Sequence, residues 1–146
     1  MSEKSYFESR IGKLTCGAEE VFTFATDIRN FEQFIPQGSI KNWQAEINSC
    51  SFTAPMVGTV SFRLVEKKMF NNIVFAGDAL KKNDFSLVLH ISDNGINPAE
   101  VKVSLNADLN PMMNMIAANQ IGRFLENLIN KMENFSSWKD IKGTKG

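Results

Sequence analysis

The sequence predicts an α+β fold: a curved antiparallel sheet, two short helices after its first strand, and one long C-terminal helix across the concave face. Three observations predict it. From about Trp43 to Asp108 the chain runs in short apolar/polar alternations separated by turn residues. These runs follow one another too closely for parallel pairs, which need crossovers of about a dozen residues. Asn110-Pro111 then opens a helix that continues to about Phe135, and such a helix buries its apolar stripe against the sheet.

The first strand spans Tyr6 to Leu14, with Phe7, Ser9 and Ile11 on one face and Tyr6, Glu8, Arg10 and Gly12 on the other. A helix follows, because Glu19 and Glu20 suit the positive end of the helix dipole and Val21, Phe22, Ala25 and Ile28 recur at helical spacing. A second short helix is expected with Asn30 as its cap, Phe31, Phe34 and Ile35 on its buried side, and Pro36 as its stop.

After the turn at Pro36-Gln37-Gly38-Ser39, Trp43, Ala45 and Ile47 alternate with Asn42, Gln44 and Glu46. Further turns are expected at 54–58, 70–72, 81–84 and 93–98, each marked by Gly, Pro, Asn or Asp. Between them Val60, Phe62 and Leu64, then Phe85, Leu87, Leu89 and Ile91, then Val101, Val103, Leu105 and Ala107 supply the apolar face of successive strands. The first strand is expected to join the sheet at an edge.

In the last helix, Asn110 caps and Pro111 takes the first helical position, where its missing N–H costs nothing. From Met112 to Phe135 such a helix is roughly 36 Å long at about 1.5 Å per residue, enough to cross a curved sheet. Its later residues Ile121, Phe124, Leu125, Leu128, Ile129 and Met132 form a dense stripe that reads as an anchor. Its earlier residues, with Met112, Met115, Asn119 and Gly122, are flexible or small and suit the border of a space. Residues 1–146 read as a single domain with a frayed tail from 139 to 146.

Sixteen basic residues balance sixteen acidic ones, which disfavours nucleic acid or an anionic membrane surface as partner. No apolar run approaches the ~20 residues needed to span a bilayer. Cys16 and Cys50 form no metal or CxxC spacing and, with no secretory leader at Met1-Ser2-Glu3-Lys4, read as reduced thiols of a cytoplasmic protein. No cofactor motif, phosphate loop, nucleophile elbow or zinc-protease motif occurs, and one histidine cannot support a typical metal site.

Four segments carry a family resemblance: Phe7-Glu8-Ser9-Arg10-Ile11, Ala18-Glu19-Glu20-Val21-Phe22, the run from Asp27 to Pro36, and the run from Ala107 to Met113. Through them nearly the whole chain resembles the START-like superfamily of helix-grip (SRPBCC) proteins. The second and third segments together match best. The pattern looks like the bacterial branch that holds polyketide cyclase/dehydrase-like and lipid-transport-like members and many of unassigned role. The resemblance implies a cavity between sheet and long helix in which members bind sterols, phospholipids, plant hormones or polyketides, a minority catalysing a reaction there. Fold alone does not choose among these.

Candidate catalytic groups are sparse. His90 alternates onto the face opposite Phe85, Leu87, Leu89 and Ile91, and Asp78, Asp84 and Asp108 are scattered without converging. Strict alternation would place Glu66 on the face of Phe62 and Leu64, near a cavity mouth. The candidate ligand-binding set is therefore distributed: Trp43, Phe52, Phe62, Phe75, Phe85, Leu87, Leu105, Met112, Met115, Ile116 and Asn119 around one concavity, with Asn119 or Ser9 orienting a guest. Twelve phenylalanines and seven methionines fit either an apolar pocket or a filled core. Non-catalytic binding of a small hydrophobic or amphipathic molecule is the expected function. A cyclase/dehydrase-like enzyme and a protein-interaction module with a filled cavity stand as the alternatives.

Overall fold

The computed structural model describes residues 4–34, 40–54, 58–68, 71–78, 85–92, 99–108 and 111–135, apart from the side chains of Lys4, Met113, Ile116 and Ala117. The expected turns at 36–39, 55–57, 81–84 and 93–98, the cap Asn110 and the tail 139–146 lie outside the described residues.

The sheet strands are β1 (Lys4–Glu8), β2 (Gly12–Lys13), β3 (Lys41–Ala45), β4 (Ser49–Ala54), β5 (Gly58–Lys68), β6 (Asn72–Asp78), β7 (Phe85–Ser92) and β8 (Glu100–Asp108). All pair antiparallel, in the order β1-β8-β7-β6-β5-β4-β3, with β2 also on β8. The first strand does take an edge. One turn goes beyond the sequence reading: the chain reverses at 46–48, where Glu46 N–H donates to Ser49 O at 2.8 Å, so that Ser49–Ala54 is a strand of its own.

Helix α1 (Ala18–Ala25) begins after Gly17, whose N–H donates to the Glu20 carboxylate at 3.3 Å, one half of a capping box. The next segment, Ile28–Phe34, is a 3₁₀ helix. Asn30 does not cap it. Buried inside that segment, Asn30 donates from Nδ2 to Phe24 O at 3.0 Å, satisfying a carbonyl left open where α1 ends.

Strict alternation fails at three places, each holding one extra residue. Phe7 pairs with Leu105 but Gly12, not Ile11, pairs with Val101. Ile11 is therefore turned out to 59% exposure, and Gly12 faces inward. In β3, Asn42 adopts a left-handed φ of 59° and the register shifts between Lys41 and Gln44. In β5, Leu64 pairs with Phe75 and Glu66 with Val74, so Val65 is the extra residue. That shift puts Glu66 on the outer face with Val74, correcting the expected position beside Phe62 and Leu64.

Helix α2 (Pro111–Glu133) opens near the end of β8 and returns along it. From Pro111 to Ile129 the helix advances about 27 Å at about 1.5 Å per residue. Ile129 then lies against Gly12, where an added Cβ would stand 2.8 Å from Ile129 Cγ2. Only glycine lets the helix approach so closely.

Arg10, swung outward by the irregularity before Gly12, holds this end of α2. It donates to Glu126 at 3.2 Å, to Glu133 at 2.8 and 3.0 Å, and to Asn130 Oδ1, while Lys13 N–H donates to Glu133 at 2.9 Å. The Arg10 hydrogen bonds, then the Lys13 N–H, hold the Glu133 carboxyl down at about 2. Leu125, Leu128, Ile129 and Met132 are buried beneath.

Candidate functional site

The pairing registers sort the concave face into rows across the strands. At the end held by α2, Val101 with Ile91 and Val103 with Leu89 and Ile73 are buried almost completely. The next row joins Phe7, Leu105, Leu87, Phe75 and Leu64, and the last joins Ser5, Ala107, Phe85, Gly77, Phe62 and Cys50. In these two rows Phe7, Leu87, Leu64, Phe85 and Phe62 are only half-buried. Cover over the concave face thus thins toward the end where α2 begins.

An aromatic row crosses that less covered end. Trp43 and Phe52 lie near-parallel with ring centroids 6.0 Å apart, Phe52 and Phe62 likewise at 6.1 Å, and Phe62 meets Phe85 edge-on at 4.8 Å. Two local devices assemble it. Without the extra residue at Asn42, Trp43 would oppose Ser51 on the outer face; with it, Trp43 stands beside Phe52. Gly77 sits between Phe62 and Phe85 in the register, and a Cβ there would lie 2.3 Å and 2.5 Å from Phe85 ring carbons. The missing side chain is what lets Phe85 reach across β6 to Phe62.

A second aromatic group lies under α1 and the 3₁₀ helix. Phe24, Phe34 and Phe135 meet at 5.3–5.4 Å, and Phe31 bridges from Phe24 to Phe75 at 6.1 and 6.2 Å. Phe75 therefore sits in a filled part of the core, as does buried Leu105, while Trp43, Phe52, Phe62, Phe85 and Leu87 keep access to solvent.

The helical members of the candidate set stand elsewhere. Met112 and Met115 are 71% and 81% exposed, Asn119 is exposed, and the Ile116 side chain lies outside the described residues. The stripe that does face the sheet runs Asn114, Ala118, Ile121, Leu125, Leu128, Met132, and it passes from half-buried to buried along the helix. Sequence reasoning missed Asn114. Counting back from Leu125 in steps of four, three and four reaches it, but an asparagine among methionines does not announce an inward face.

The outer face holds the titratable groups. His90 Nε2 lies 3.1 Å from Ser104 Oγ, and burial, then the nearby Lys102, lower its pKa, favouring the neutral ring. Glu8 accepts from Tyr6 at 2.9 Å and from Lys102 at 3.2 Å, contacts that lower its pKa in that order. Arg63 pairs with Asp78 at 3.4 Å. On the concave side the thiol of Cys50 is pushed up to about 11 by burial, as that of Cys16 is to about 12, so neither is poised as a nucleophile. Among the described residues no three His, Cys, Asp or Glu side chains converge, and no helix is long and apolar enough to cross a membrane.

No family model matches the chain, and no curated protein matches it in sequence. Solved structures do resemble it. The protein XoxI from Bacillus cereus matches with a TM-score of 0.68 at 10% identity, over 93% of this chain and 96% of that one. Truncated norcoclaurine synthase from Thalictrum flavum matches with a TM-score of 0.65 at 9% identity, over 89% and 93%. The same synthase in complex with dopamine and hydroxybenzaldehyde matches at 0.63 and 9% identity, over 89% and 86%. At such identities the likeness concerns the fold, and the architecture is the helix-grip one: a curved antiparallel sheet holding a long C-terminal helix.

Proposed function

We propose that this protein binds a small hydrophobic or amphipathic molecule, without transforming it, in the space between the aromatic row and the first half of α2. One observation carries the reading: Trp43, Phe52, Phe62 and Phe85 point into the concave side yet remain half-buried, although the same chain closes Phe24, Phe34 and Phe135 onto one another. Apolar surface left open at the centre of a fold gains by receiving an apolar guest, at about 25 cal/mol per Å² removed from water. The wall offers ring faces and edges, Leu64, Leu87 and the Cys50 thiol, which give area without acid–base chemistry. Norcoclaurine synthase, of the same fold, is seen with two small aromatic molecules, dopamine and hydroxybenzaldehyde, which supports ligands of that size.

Among the relatives implied by the sequence resemblance, the lipid-transport-like members fit this reading better than the cyclases. A cytoplasmic setting, where Cys16 and Cys50 stay reduced, belongs to the same proposal. The test is fluorescence titration of a hydrophobic probe such as 1-anilinonaphthalene-8-sulfonate into the wild type and Phe85→Asp. The variant should lose most uptake while keeping its far-ultraviolet circular dichroism and cooperative melting. Undiminished uptake in a folded variant would exclude the aromatic row as the site.

A further inference from the structure

We infer that Asn114 is the polar anchor of this site, and that its ligand is an apolar molecule carrying a hydrogen-bond donor, a hydroxyl or an amine. The inference rests on the binding reading above and adds a ligand class to it. Asn114 heads the inward stripe of α2, followed at helical spacing by Ala118, Ile121 and Leu125. Every later position of that stripe is apolar, so a polar side chain here stands out. Its neighbours Met112 and Met115, the hydrophobic residues of this turn, are the ones turned to solvent. The usual order of a helix on a sheet is inverted at this one turn.

The Asn114 amide oxygen is shut away from solvent and accepts no hydrogen bond. An orphaned acceptor of this kind costs about 1–3 kcal/mol, which a leucine at the same position would avoid. The helix beginning at Pro111 also brings Asn114 to the end of β8 where the Ala107, Phe85, Gly77 and Phe62 row lies. A guest lying on the aromatic row with its donor toward α2 satisfies that oxygen. A guest without a donor leaves it stranded, and one with a carboxylate sets two acceptors against each other. The anchor therefore selects by chemistry where the row selects only by area.

A matched pair of probes tests this: 2-naphthol, which has a hydroxyl donor, and 2-methoxynaphthalene, which is larger, more apolar and has none. An apolar surface alone binds the ether equally or more tightly. With Asn114 as anchor, the wild type should bind the naphthol about fivefold to tenfold more tightly, the worth of one hydrogen bond. In Asn114→Leu that preference should vanish while the ether binds at least as well as before. Asn114→Ala gives the same readout should the leucine variant fold poorly. Equal or weaker binding of the naphthol by the wild type overturns the anchor and leaves the binding site standing, as does a preference that survives in Asn114→Leu and Asn114→Ala. Binding of neither probe overturns anchor and site together.

Discussion

Phe24, Phe34 and Phe135 close on one another at 5.3–5.4 Å, whereas Trp43, Phe52, Phe62 and Phe85 stand in a row across four strands with one side uncovered. Both groups come from one Phe-rich composition, and both face the inside of the same fold. What separates them is the covering layer. The first group lies beneath α1, the 3₁₀ helix and the end of α2, which Arg10 fastens through Glu126, Asn130 and Glu133. Over the second group passes the half of α2 whose methionines point away. Aromatic content alone therefore does not mark a binding site; the aromatic surface must also lack a protein partner.

The largest expected effect separates the two groups by stability. Phe24→Ala should cost ~3–5 kcal/mol, as for a fully buried ring, whereas Phe52→Ala, on a half-exposed ring, should cost about 1–2 kcal/mol. Urea denaturation measures both. Probe binding should show the reverse order, with Phe52→Ala impaired and a folded Phe24 variant unaffected. If Phe52→Ala proves as costly as Phe24→Ala, the row is a closed core after all.

Next in size is the left-handed residue that places Trp43. Asn42→Val should cost about 1–2 kcal/mol, because a β-branched side chain tolerates positive φ poorly, whereas Asn42→Gly should stay within a few tenths. The valine variant should also shift Trp43 emission if the strand slips to escape the strain. At Gly77 a smaller global change is expected but a local one is certain to be visible: Gly77→Ala drives a Cβ into the Phe85 ring, which must leave Phe62. Probe affinity should fall several-fold with little loss of melting temperature.

The smallest effect concerns the fastened end of α2. The Glu133 carboxyl is held at about 2, below the ordinary value of 4.5, so its ionised form stabilises the folded state. That contribution is complete above about pH 4.5 and is lost as pH falls toward about 2. Arg10 and Glu133 are largely solvated, so the loss is modest. Urea midpoints at pH 5 and pH 2.5 should converge between wild type and Arg10→Met, and a constant gap would remove Glu133 from the account.

Much of the fold was legible because period-2 runs and turn residues survive in almost every strand, and Pro111 marks the start of α2 unambiguously. The sequence failed where one extra residue enters a strand. Before Gly12, at Asn42 and at Val65, the pleat is reset, and alternation assigns the wrong face to whatever follows, as with Ile11 and Glu66. Nothing local distinguishes such a residue until its partner strand is known. The helical side of the site was misjudged for a different reason. Met112 and Met115 are apolar and suit a cavity border by composition, but the stripe fixed by Leu125 and Leu128 leaves Asn114 inward in their place. Hydrophobicity chose the wrong turn-mates; geometry carried back from the anchored end chooses the right ones.

The most direct test of the central claim is a ¹⁵N-labelled chemical-shift titration with 2-naphthol. Binding at the uncovered aromatic row should move amides of Trp43, Phe52, Phe62, Gly77, Phe85 and Asn114 while Phe24, Phe34 and Phe135 stay still. Shifts clustered instead on the outer face around His90 and Lys102, or spread evenly over both aromatic groups, would contradict it.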